Sequence, residues 1–150
     1  MTPPHEKVYR AFTEQLAAHR FARKKKALWW ERLAEPVWQR IHVHKFRNSY
    51  HFRIHGALHV FPAEADGPWL NGPCSYDGFY EERRLGVRVK FLEFSFQDRT
   101  ESIAQCAAAM TEFVELRLLP WFAVWNDRGA LLNRSDSPLS TAQKDILHHK

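Results

Sequence analysis

Residues 41–59 read "IHVHKFRNSYHFRIHGALH" and hold five of the chain's nine histidines. Imidazole titrates near neutral pH and is the commonest nitrogen ligand for transition metals, so such a cluster suggests a metal site or an anion contact. A wet sheet face would need neither. His51, His55 and His59 are four apart, which on a helix would stack them on one side. The residues between them decide otherwise, because Phe52, Ile54, Leu58 and Val60 alternate as a strand does. Residues 37–46 and 50–61 are therefore expected to form a β-hairpin closed around Asn48, a residue that tolerates the positive φ of tight turns.

A two- or four-residue turn puts even positions of the first strand on one face with odd positions of the second. One face then carries Val37, Ile41, Val43, Phe52, Ile54, Leu58 and Val60, and must lie under helices. The other carries Trp38, Arg40, His42, His44, Phe46, His51, Arg53, His55, His59 and Phe61. His42 and His44 fall about 6.6 Å apart along the strand, at two residues of about 3.3 Å each. The third imidazole is His55 if the turn centres on Asn48-Ser49, or His51 if it centres on Arg47-Asn48. Either register offers three ligands and an open position, as a catalytic zinc needs.

Arg40 and Arg53 on the same face would repel a cation, and neither strand carries a carboxylate placed to orient the imidazoles. The first expectation is accordingly a non-enzymatic binding protein, regulatory or immunity-type, with no cofactor. Its face of Trp38, Arg40, His42, His44, His51, Arg53, His55 and His59 would engage an acidic protein partner. The alternative is a metal-dependent hydrolase holding zinc on His42, His44 and His55.

Around the hairpin, Val8, Phe12 and Leu16 mark one face of a first helix that follows Pro3-Pro4 and ends near His19 or Arg20. "ALWWERL" reads as a strand, with Trp29 and Trp30 on opposite sides. Residues 62–78 read as a loop, with Pro and Gly as punctuation. Within 79–97, Val87, Val89 and Phe91 alternate in one phase, and Leu92, Phe94 and Phe96 in the other. That switch implies a bulge or a change of partner. Asp98 and Glu101 match a capping box opening a helix over 99–118 with the stripe Ile103, Cys106/Ala107, Met110 and Phe113/Val114. Pro120 interrupts it and opens a shorter helix. The polar end is read as a flexible tail over about 130–150, with Ser140 and Gln143 placed to cap a last turn or two.

The 150 residues suit one domain with its own core, and a hydrophobic fraction of 45% is that of a globular chain. The net charge of +5 favours acidic partners. "RKKK" at 23–26 beside two tryptophans is a candidate nucleic-acid patch, but cations at a helix C-terminus need no ligand to explain them, so nucleic acid is not expected. No apolar leader opens the chain and no apolar run spans a membrane. Cys74 and Cys106 then read as free thiols in a reducing compartment, with the cytoplasm as expected location. Glu81-Glu82-Arg83-Arg84 is read as a solvated charge run. No P-loop, G-x-S-x-G, H-E-x-x-H or dinucleotide fingerprint occurs.

"FTEQLAAHRFARKKKALWWERL", a helix running through a basic stretch into an aromatic strand, and "LRLLPWFAVW" near the end resemble a bacterial family catalogued as domain of unknown function 4304. The resemblance covers roughly residues 8–125. Where that family has Gly-Phe before the basic residues, this chain has His19-Arg20-Phe21. It implies a compact α+β fold and assigns no catalytic residue. The expected architecture is α+β: an antiparallel sheet of four or five strands with N-terminal and C-terminal helices packed on one face.

Overall fold

The computed structural model describes residues 2–47, 50–60, 69–77 and 94–149. Helix α1 (Pro4–Leu16) begins with proline in its first turn, where the missing N–H costs no hydrogen bond. A single 3₁₀ turn, Ala17–His19, follows it and ends on Arg20 in the left-handed region at φ 65°. Then come strands β1 (Ala22–Arg23), β2 (Trp29–Ala34), β3 (Val37–Lys45), β4 (His51–Val60), β5 (Leu70–Cys74) and β6 (Phe94–Ser95). Helix α2 (Thr100–Phe113) runs through a π segment, Val114–Leu118, into α3 (Leu119–Trp125), which carries Pro120 in its first turn. Helices α4 (Arg128–Asn133) and α5 (Thr141–His148) complete the chain.

All strand pairs are antiparallel, in the order β1-β2-β3-β4-β5, and β6 pairs with the start of β4 beyond the end of β5. The fold is α+β as expected, with six strands among the described residues where four or five were expected. Two of the six, β1 and β6, are two residues long. The apolar hairpin face is the floor of the core: Val37, Ile41, Val43, Phe52, Ile54 and Leu58 are all at most 1% exposed. Tyr9 and Phe12 of α1 lie on Phe52 and Trp30, with ring centroids 5.5 and 4.9 Å apart. From α2, the stripe Ile103, Cys106, Ala107, Met110 and Phe113 is buried as its spacing predicts. Gly56 admits the next turns: a Cβ there would sit 3.1 Å from Leu118 Cδ2 and 3.4 Å from Phe122 Cζ.

Three local expectations change. The Asp98–Glu101 capping box does not form. Arg99 is the N-cap with no side-chain cap, Asp98 pairs instead with Lys7 at 3.2 Å, and Ser102 Oγ accepts from the Gln97 N–H. The stretch read as loop contains β5, an edge strand among the described residues, which is where a sheet accepts Pro73 without losing a ladder bond. Between the pairs His55/Cys74 and Ala57/Asn71, two residues of β5 oppose Gly56 alone, a bulge. The segment read as a tail holds α4 and α5, which bury Leu131 and Leu147, and Ser140 with Gln143 forms the expected capping box. Val87, Val89, Phe91, Leu92, Phe61 and the 81–84 charge run lie outside the described residues. Among the described residues, no helix is long and apolar enough to cross a membrane.

Candidate metal centre

The β3–β4 register pairs His42 with His55 and His44 with Arg53, the arrangement expected for a turn centred on Asn48-Ser49. Residues 48 and 49 themselves lie outside the described residues. His42 and His44 share a face as i and i+2 of one strand, and His55 stands opposite. Their ligand nitrogens all lie within 4.8 Å of one another. The rings form a compact stack, with centroids 4.4 Å apart for His42–His44 and 4.9 Å for each of the other two pairs. His44 Nε2 and His55 Nδ1 are 3.0 Å apart, so one donates to the other.

Burial, followed by the mutual repulsion of the imidazoles, holds the His42 and His55 pKa down to about 4, and burial with the Arg53 charge lowers that of His44. All three rings are therefore neutral at pH 7, the state in which imidazole binds a metal. His55 also hydrogen-bonds the Asn71 side chain, which favours its charged form as an acceptor for a ring N–H does. With Nδ1 turned to His44, the ring nitrogen left for Asn71 is Nε2. Asn71 thus orients this ring in the way metal-ligating histidines are commonly oriented.

The electrostatic objection from Arg40 loses most of its force. Arg40 Nε donates to Glu31 Oε1 at 2.9 Å from the neighbouring strand, and its guanidinium lies between the Trp69 and Trp29 rings, 3.8 and 4.6 Å from their centroids. Sequence reasoning missed Glu31 because its place opposite Arg40 is set by the β2–β3 register, which no turn signal fixed. Trp29 meets the site as well, edge-on to His42 at 5.7 Å, while Trp30 points to the core as the alternation requires.

Not every residue of the expected face gathers here. His59 is buried, its ring stacked on Trp69 at 5.2 Å. His51 opens onto a different cleft with His5, Lys45, Tyr50 and Arg99. Trp38 stands opposite His59, toward the far end of the hairpin. Arg53, Asn71, Gly72 and Cys74 join the three imidazoles around one cleft of about 450 Å³. Asn71, Gly72 and Cys74 belong to β5, whose Asn-Gly-Pro sequence reads as a turn. Gly72 keeps β5 close to α3, since a Cβ there would collide with the Trp121 ring. Cys74 and Cys106 are both free thiols, and burial raises Cys106 to about 12, so it is core packing. In the "RKKK" run, Arg23 is taken by Glu6 at 2.9 Å and by the Ala27 carbonyl.

The depressed pKa values make a stability prediction. Between pH 6.5 and about 4 the unfolded chain binds protons that folded His42 and His55 refuse, so stability falls as pH drops through that window. Allowing for the partial exposure of the rings, the loss is on the order of 2 kcal/mol. Urea denaturation of metal-free protein at several pH values from 7 to 4.5 checks it. His55→Asn is expected to flatten the slope, and an equally steep slope in that variant would place its cause elsewhere.

No family model, curated protein or solved structure matches this chain.

Proposed function

We propose that this chain binds a divalent transition metal, zinc foremost, through His42, His44 and His55. The observation that carries the reading is the convergence of three neutral imidazoles from two paired strands onto one cleft. Two nitrogens on a tetrahedral zinc, at 2.0–2.1 Å each, stand about 3.3 Å apart, close to the 3.0 Å between His44 and His55. His42 supplies the third ligand. An open fourth position is what metal-assisted hydrolysis requires, so a hydrolase is the enzyme class such a site supports. The resemblance to domain of unknown function 4304 adds no residue to this reading.

Docking of an acidic protein partner is the second reading, drawing on Trp38, Arg40, Arg53 and His51. It has less charge available than the sequence suggests, because Glu31 already engages Arg40 and the imidazoles of His42, His44 and His55 are neutral. The test is elemental analysis of untagged protein purified without chelator, followed by zinc titration of the metal-free form. About one zinc per chain is expected, lost when His42 and His44 are both changed to Asn. Absence of tight zinc binding in the wild type would leave the partner reading in its place.

A further inference from the structure

The cleft that holds the three imidazoles also holds a cation, Arg53, that no carboxylate among the described residues pairs with. Arg53 faces His44 across the hairpin, and its guanidinium lies 5.6 Å from the Tyr76 ring centroid. Its charge acts on His44 and His55. Among the described residues no carboxylate forms an ion pair with it. The Asp77 charge acts on His55, and its Oδ2 accepts from the Cys74 N–H at 2.8 Å. A divalent metal on three neutral ligands would add two positive charges beside Arg53, in a half-buried cleft where uncompensated charge is costly. An arriving anion relieves both at once.

We propose that the metal-loaded site takes a small oxyanion, a carboxylate or phosphate group, held between the open metal position and the Arg53 guanidinium. This rests on the metal reading above. The planar fork of arginine matches the oxygens of either group, and three protein ligands leave the metal a position to share with it. The cleft of about 450 Å³ has room for an anionic group and a short substituent. Asn71, engaged with His55, and Cys74, in register with it, form the β5 wall.

The test is calorimetric titration of inorganic phosphate, and separately of acetate, into zinc-loaded wild type, zinc-loaded Arg53→Gln and metal-free wild type. The preferred anion is expected to bind the zinc-loaded wild type about tenfold or more tightly than either other form, the worth of a charged hydrogen-bonded contact. Arg53→Gln is expected to keep one zinc per chain. The tighter of the two anions tells phosphate from carboxylate. Equal binding to zinc-loaded Arg53→Gln would put the anion on the metal alone, and equal binding to the metal-free protein would put it on Arg53 alone. Either result overturns the proposal and leaves the metal reading standing, as does the absence of anion binding to zinc-loaded wild type. Failure to load zinc at all overturns both.

Discussion

Zinc at a thousandfold excess over its dissociation constant is expected to stabilise the folded chain by about 4 kcal/mol, because the three ligands are gathered only in the folded state. For a chain of this size that is a rise in melting temperature of roughly 10 °C. The rise should vanish in His55→Asn, which removes the ligand contributed by the opposite strand while leaving the His42/His44 pair. Its pH dependence follows from the depressed imidazoles. Ordinary histidines would surrender the metal to protons near pH 6.5, whereas His42 and His55, held down to about 4, compete with protons only well below that. Zinc should therefore still raise the melting temperature at pH 5.5 and cease to do so near pH 4. Differential scanning calorimetry reads both effects, and an equal rise in His55→Asn would place the zinc elsewhere.

The second large effect separates two adjacent tryptophans. Trp30 is fully buried, edge-on to Phe12, and its Nε1 donates to Thr13 Oγ1 at 2.9 Å. Trp30→Ala removes the ring from the junction of α1 with the sheet and is expected to cost about 3–5 kcal/mol. Trp29 lies on the other side of the same strand, half-buried against His42 and Arg40. Trp29→Ala is expected to cost about 1 kcal/mol, near the middle of the usual range for single substitutions. Urea denaturation of the two variants at pH 7 gives the comparison, and a larger loss for Trp29 would contradict the orientation of β2.

The trio was legible from the sequence because alternation alone sorts the hairpin. Once Phe52, Ile54 and Leu58 are committed to the core, the histidines must share the opposite face. The choice between His55 and His51 as third ligand was not legible, since it needs only a one-residue shift of the turn centre, two residues of pairing, and both turns suit Asn48. Burial of both Val43 and Ile54 on one face is compatible with either, and only the Lys45–Phe52 to Val37–Val60 ladder resolves it.

What surrounds the trio was harder to read. Strand β5 hides behind Gly72 and Pro73, residues that ordinarily end strands, and is tolerated because it lies at a bulged edge. Asn71 reaches His55 and Cys74 faces it only because β5 pairs with β4, a pairing that no alternation in 70–74 signals. Glu31 was equally invisible, and with it the reason Arg40 does not repel a metal. The C-terminal segment is mostly polar, yet Leu131 and Leu147 of its two helices and Leu139 between them each reach the core, which polarity averaged along the segment obscures.

The central claim, that these three imidazoles and no others form the metal site, is tested most directly by nitrogen-15 NMR of the histidine rings during a zinc titration at pH 7. One equivalent of zinc is predicted to move His42, His44 and His55 together, with His44 responding at Nε2 and His55 at Nδ1. His5, His19, His51, His59, His148 and His149 should stay where they were. Zinc that moved the adjacent C-terminal pair His148 and His149 and left the hairpin rings unchanged would contradict the account.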